Sequence, residues 1–301
     1  MKFGLNGAVV EAKEAVIPAL DHGLLYGIGL FETFRTYGGA PFALGRRLAR
    51  LRQGCAALGI RWTMTDAEAA DWLARVLEAN GLADAYVRLT VTAGDAGLGL
   101  TDGPYERPNT LLMVKPLPPP DEALYRRGRE LRILRTPRGT PETPVRLKSL
   151  HYMTNVLAKR ELAASGASAG AEGLMLTREG GLAEGIVSNL FFLGKDGVVR
   201  TPAIETGILP GITRALTLEL ARSLGYRAEE GFYTVEDLLA ADEVWLTGSV
   251  QEIVPVTRIV EADGTAHTVG DGLAGPAARA LLEAYRAEAR RSAYEAANKG
   301  D

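Results

Sequence analysis

Seven lysines occur in this chain, and Lys148 is the one whose position singles it out as a candidate for chemistry through its amine. The 34 basic residues are overwhelmingly arginine, so the lysines can be sorted one by one. Lys2, Lys13 and Lys299 lie near the chain ends, where side chains are usually solvated. Lys195 sits in a Gly-Lys-Asp-Gly turn, and Lys159 follows Ala158 on the polar face of a predicted helix. Lys115 ends an apolar strand just before a run of prolines. Lys148 occupies a strand-to-helix transition in mid-chain, within Arg-Leu-Lys-Ser-Leu-His-Tyr-Met-Thr-Asn. A lone lysine is most often a solubilising charge. This one is followed by an acid and two anion-compatible turns at sensible distances.

The acid is Glu184, in Leu-Ala-Glu-Gly-Ile-Val-Ser-Asn-Leu-Phe-Phe-Leu, where a small-residue turn leads into an apolar strand. Taken alone it reads more readily as an ordinary loop glutamate. Leu209-Pro-Gly-Ile-Thr-Arg opens a helix that continues through Leu216, Leu220 and Leu224. Free amides at such an N-terminus, around Ile212 and Thr213, attract an anion. Thr213 can equally be a plain N-cap. Thr247-Gly-Ser-Val-Gln-Glu follows a strand and offers backbone amides at Gly248 and Val250 with the Ser249 hydroxyl. Together these are the demands of pyridoxal 5′-phosphate: a lysine amine, an acid facing the pyridine nitrogen and donors for a phosphate dianion. A buried carboxylate–pyridinium contact is charge-assisted and contributes roughly 1.5–3 kcal/mol. No metal is expected.

Such residues need rigid elements, and 301 residues are enough for two domains with substantial cores. Hydrophobic content of 47% and charged content of 24% argue against disorder. A net charge of −3 gives no pull toward nucleic acid or an anionic membrane, so neither is an expected partner. The single cysteine, Cys55, fits a reducing compartment and reads as a small buried residue. The N-terminus lacks a signal peptide's apolar core, and no apolar run reaches the roughly 18 residues of a membrane span. The expectation is a cytoplasmic protein.

Pro-Leu-Pro-Pro-Pro-Asp-Glu, residues 116–122, is a semi-rigid connector. It separates a small α+β domain, 1–115, from a larger one, 123–301, that carries Lys148. Before it, β patterns at 2–10, 30–37 and 85–93 alternate with helical ones around 45–59 and 66–80. After it come short strands (LRILRT, EGLMLT, NLFFLG, VVRTP, EVWLTG) and helices at about 150–165, 212–225 and 273–293. The fold class is α+β.

The blocks YGIGLFETFR (26–35), RRLARL (46–51), YVRLTVTAGDAGLGL (86–100), KSLHYMTNVLAKRE (148–161), LAEGIVSNLFF (182–192), LPGITR (209–214) and TGSVQEIVPV (247–256) occur in this order. They resemble the class IV aminotransferases, the fold-type-IV pyridoxal-phosphate enzymes, over nearly the whole chain. The resemblance implies a small N-terminal α/β sandwich, a larger C-terminal pseudo-barrel domain and a homodimer. It also implies that Lys148 carries the cofactor and that Glu184 faces the pyridine nitrogen. Arg50, Ile212, Thr213 and Ser249 would hold the phosphate, and Tyr152 the phenolic oxygen. In the homodimer, the exposed Leu98 and Leu100 of the Gly94–Leu100 stretch would cover a neighbour's pocket.

The substrate signals divide. Tyr86-Val-Arg-Leu, with Tyr26 and Phe31, looks like the branched-chain aminotransferases, where the arginine matching Arg88 grips a distal carboxylate. Leu100, Gly248 and Val250 would complete that pocket, the turn at 248–250 helping to hold the α-carboxylate. Arg88 also reads as a strand-surface charge. GLFETFR, PYERPNTLLMVKPL, KSLHYMTNVLAKRE and VQEIVPVTRI look more like 4-amino-4-deoxychorismate lyases, and KSL…NVLAKRE is equally similar to D-amino-acid transaminases. The first expectation is transamination between an amino acid and a 2-oxo acid such as 2-oxoglutarate. The alternative is a lyase forming 4-aminobenzoate and pyruvate; a D-amino-acid or (R)-amine transaminase comes after both.

Overall fold

The computed structural model describes residues 1–119 and 121–297; Lys299 lies outside them. Two compact units divide the chain, and they do not follow chain order. Met1–Pro118, Leu147–His151 and the chain from Glu288 make the first, Pro119–Arg146 and Tyr152–Ala287 the second. Leu147–His151, the segment that carries Lys148, is thus grouped with the N-terminal residues.

In the first unit the pattern at 2–10 is a hairpin of β1 (Lys2–Leu5) and β2 (Ala8–Glu11). Asn6 and Gly7 both take positive φ, 48° and 85°, the conformation a two-residue hairpin turn requires. There follow α1 (His22–Leu25), β3 (Gly29–Tyr37), β4 (Ala40–Pro41), α2 (Leu44–Ala57), α3 (Asp66–Glu78), β5 (Ala85–Thr92) and β6 (Asn109–Pro116). The strands form one sheet, β2-β1-β6-β5-β3-β4, antiparallel throughout. Thr65 and Glu68 start α3 with a reciprocal capping box. Period-two alternation puts Val87, Leu89 and Val91 of β5 into a core with Leu48, Leu51, Trp72 and Val76 of α2 and α3. Tyr86 and Arg88 point to the other face, half-buried.

Leu147–His151 joins this unit because its backbone pairs with the start of β3. Phe31 N donates to Lys148 O at 2.9 Å, and Leu150 N donates to Gly29 O at 3.0 Å. This pairing holds the residues after Lys148 extended, so the helix expected from about residue 150 begins at Met153.

The second unit contains α4 (Glu122–Arg127), β7 (Arg129–Ile133), α5 (Met153–Ala164), β8 (Glu172–Leu176), β9 (Leu182–Gly185), β10 (Asn189–Leu193) and β11 (Val199–Pro202). After these come α6 (Ile212–Ser223), β12 (Ala228–Gly231), α7 (Val235–Leu239), β13 (Glu243–Gly248), β14 (Glu252–Val260), β15 (Ala266–Thr268) and α8 (Pro276–Ala297). Strand pairing runs β10-β13-β14-β7-β8-β9 and returns from β9 to β10, so six strands close on themselves. Strands β11 and β12 extend from β10, and β15 from β14. Leu131, Leu174, Leu190, Phe192, Leu246 and Ile259 belong to its apolar core. The fold is α+β, as the element pattern predicts. No helix among the described residues is long and apolar enough to cross a membrane.

Candidate active site

Among the described lysines, Lys148 alone is not exposed. The strand pairing with Gly29 and Phe31 fixes its backbone, and its Nζ lies 4.7 Å from the centroid of the Phe31 ring. Phe31 is 2% exposed, so it is a fixed platform. The same ring carries the Arg88 guanidinium carbon at 3.6 Å. In the β3–β5 register Phe31 faces Thr90 and Thr33 faces Arg88, which makes Phe31 and Arg88 diagonal neighbours on one face. Beside Arg88 on β5, Tyr86 carries the Lys115 ammonium over its ring at 4.8 Å.

The structure also brings Tyr26 to the glycine-rich stretch. Its hydroxyl accepts from Gly99 N at 3.0 Å, and its ring meets buried His22 edge-on, centroids 4.8 Å apart. His22 links Tyr105 OH and Gly97 O at 3.0 and 3.1 Å. The backbone of this stretch is thereby tied down while Leu98 and Leu100 stand 82% and 83% exposed.

Arg50 lies on the helix side of the sheet. Its Nε and Nη2 donate to Glu32 Oε1 and Oε2 at 2.8 and 2.7 Å, a side-on bidentate pair with a carboxylate that is almost fully buried. Arg47, one turn earlier on α2, stands 4.0 Å from the same carboxylate. Both guanidinium groups thus stand against the one Glu32 carboxylate.

In the second unit Glu184 is 4% exposed and its carboxylate is held on both oxygens. Oε1 accepts from Arg138 Nε at 2.7 Å; Oε2 accepts from Asn189 Nδ2 at 2.9 Å and Leu209 N at 3.0 Å. Burial pushes this carboxyl up, opposed by the Arg138 cation, the Leu209 amide and Arg146. Asn189 Nδ2 also donates to Leu209 O at 3.0 Å, so the acid and the entry to α6 share one clamp. A Cβ on the α6 N-cap, Gly211, would collide with Asn189 Oδ1, which explains the glycine of Leu-Pro-Gly.

Gly211 being the cap, Thr213 sits inside the first turn and does not cap. Its buried hydroxyl has no hydrogen-bond partner. The Thr247 hydroxyl, at the end of β13, is likewise buried and unpartnered. Gly248 ends that strand, Ser249 and Val250 turn the chain after it, and all three are half-buried. Tyr152 stands at the N-cap of α5, with part of its ring exposed.

Glu32, Arg138, Asn189 and Thr247 are absent from the sequence reading of the site. Glu32 lies within the recognised FETFR block, but nothing local marks it as the partner of an arginine on α2. Arg138 sits 46 residues from its acid. Each unit by itself carries groups that fit pyridoxal phosphate: the first a half-buried lysine, the second a buried carboxylate held by three donors, a helix N-terminus with the unpartnered Thr213 hydroxyl, and the unpartnered Thr247 hydroxyl on β13.

Comparisons agree with this chemistry. The model of the amino-transferase class IV family matches residues 29–259. The aminodeoxychorismate lyase of Bacillus subtilis is 40% identical over 293 residues, 97% of this chain and 96% of that one. A putative branched-chain-amino-acid aminotransferase of Methanocaldococcus jannaschii is 38% identical over 259 residues, 86% and 88% of the two chains. Among solved structures, the T.th. branched-chain amino acid aminotransferase with pyridoxamine 5′-phosphate superimposes with a TM-score of 0.84. It is 31% identical, covering 95% of this chain and 92% of that one.

Proposed function

Because the chain belongs to the class IV aminotransferase family, whose members depend on pyridoxal 5′-phosphate, we propose that it is a 4-amino-4-deoxychorismate lyase. The observation that carries this reading is 40% identity to such a lyase over 97% of the chain. Sequence blocks alone put transamination first; a match of this extent puts the lyase ahead.

Lys148 would hold the cofactor, Glu184 its pyridine nitrogen, and Arg50, Ile212, Thr213 and Ser249 its phosphate, with Tyr152 on the phenolic oxygen. When bound, the cofactor supplies an electron sink for the carbon that bears the substrate's amine. Lys148 Nζ, once the substrate's amine has displaced it, would remove the proton from that ring carbon. The adjacent C–O bond breaks, the enolpyruvyl group leaves and takes a proton to become pyruvate, and the ring becomes aromatic as 4-aminobenzoate. Arg88, held on Phe31, would bind a substrate carboxylate, with Tyr26, Tyr86 and Leu100 lining the pocket. Gly248 and Val250 would offer amides to a second carboxylate.

The second reading is transamination between a branched-chain-like amino acid and 2-oxoglutarate. Tyr26, Tyr86 and the Arg88–Phe31 pair support it, since an arginine fork suits a dicarboxylate's distal group. Both readings share the substrates' small size and the base, Lys148. Holoenzyme incubated with 4-amino-4-deoxychorismate should release 4-aminobenzoate and pyruvate in equal amounts. Absence of both, with 2-oxoglutarate consumed in the presence of L-leucine or D-alanine, would assign a transaminase instead.

The active form is read as a cytoplasmic homodimer. Exposed Leu98 and Leu100 on a tied-down loop support a second copy as partner, and the single buried Cys55 suits a reducing compartment.

A further inference from the structure

We infer that Thr247 is a ligand of the cofactor's phosphate alongside Thr213, an inference that rests on the cofactor reading above. Two hydroxyls without partners carry it. Thr213 and Thr247 are each 2% exposed, and neither side-chain oxygen has a hydrogen-bond partner. Burying a hydroxyl unpaired costs about 1–3 kcal/mol, so native proteins rarely keep one without a ligand to satisfy it.

The strand register places Thr247. Glu184 faces Asn189 between β9 and β10, and Asn189 faces Thr247 between β10 and β13. Residues directly opposite on antiparallel strands project from the same side, so Glu184, Asn189 and Thr247 form a polar row. Asn189, its central member, touches both ends of the chemistry: it donates to Glu184 and to Leu209 O, and it abuts the α6 cap at Gly211. Thr247 is one strand spacing, about 4.8 Å, from Asn189. Thr213 is two residues beyond Gly211. Both hydroxyls therefore flank the amides at the start of α6, a 12-residue helix whose dipole favours an anion. The bond that Thr247 makes would be O–H to a phosphate oxygen, separate from the backbone and hydroxyl contacts of the turn beginning at Gly248.

The structure assigns opposite signs to this hydroxyl in the two states. Without phosphate it is an unsatisfied buried group; with phosphate it is a charge-assisted donor. Apo-protein carrying Thr247→Val, Thr247→Ser or Thr213→Val should be titrated with pyridoxal 5′-phosphate and with pyridoxal, following tryptophan fluorescence. Thr247→Val should weaken the phosphorylated ligand by about 10- to 100-fold and leave pyridoxal unchanged. Its apo melting temperature should stay level or rise, and Thr247→Ser should keep wild-type affinity. Equal losses for both ligands, or no loss, would overturn the assignment and leave Thr247 a structural residue. If Thr213→Val alone lost the phosphorylated ligand, Thr247 would be excluded while the cofactor reading stood. Wild-type protein that bound the two ligands equally tightly would refute the phosphate site as a whole.

Discussion

The Arg88 guanidinium carbon rests 3.6 Å from the centre of the Phe31 ring, so the cation stacks on an aromatic face. Such a face attracts the charge without neutralising it, contributing about 0.5–2 kcal/mol. No acid among the described residues pairs with Arg88. The stacking therefore orients the fork without using up its charge, which in the proposed reading meets a substrate carboxylate.

Arg88→Ala should cost roughly 2–4 kcal/mol in kcat/KM, about 30- to 1000-fold, for a substrate whose carboxylate uses the fork. If the enzyme transaminates, 2-oxoglutarate should suffer this loss and 4-methyl-2-oxopentanoate much less. Steady-state kinetics on both acceptors checks it. Equal losses would remove Arg88 from the specificity pocket.

Lys148 should carry the cofactor covalently. Borohydride treatment of the yellow holoenzyme should fix the cofactor to the peptide containing Lys148, seen by mass spectrometry. Lys148→Ala should lose this labelling and turnover together. Full turnover in that variant would defeat the assignment, whatever its effect on cofactor content.

How far the sequence leads depends on whether a feature is local. Helices α2 and α3 and strands β3 and β5 are legible because apolar residues recur at periods near 3.6 and 2. The turn at Asn6-Gly7 interrupts no such pattern, so β1 and β2 read as one strand. Lys148 stands out by elimination, yet its attachment to β3 is invisible in sequence: its pairing partner, Phe31, is more than a hundred residues away. Glu184 is found through its block, but the groups that hold it, Arg138 and Asn189, are not. A hydrogen bond between distant segments leaves no periodic trace. Thr213 reads as an anion contact or a cap. The collision that forces glycine at 211 moves the cap there and leaves the Thr213 hydroxyl unused by the helix.

Cys55 gives a control for the first unit's packing. Burial pushes its thiol from the ordinary 9.0 up to about 12. Native protein at pH 8 should not react with a disulfide reagent, and denatured protein should react once per chain. A raised thiol pKa adds stability that is complete below about pH 9 and is lost as pH rises through about 12. Rapid labelling of the native fold at pH 8 would contradict the buried position on α2.

Arg138 and Glu184 make the sharpest pH prediction. Burial raises the Glu184 carboxyl, so folding favours its proton. Stability from that source is full below the unfolded value and falls as pH rises through the folded one. Arg138, 2.7 Å away, is the largest of the groups pulling the carboxyl back down. Arg138→Leu should therefore raise Glu184 further and leave a buried carboxylate short of its cation. The cost should be about 3–5 kcal/mol at pH 8, where the charge must be carried. At pH 5 the carboxyl can take a proton instead, and the loss should be clearly smaller. Adding Glu184→Gln to Arg138→Leu should abolish the pH difference, because the neutral amide has no charge to strand. Urea unfolding of the apo-protein at the two pH values measures all three. Equal destabilisation by Arg138→Leu at pH 5 and pH 8 would show that Arg138 serves packing and not the charge state of the acid.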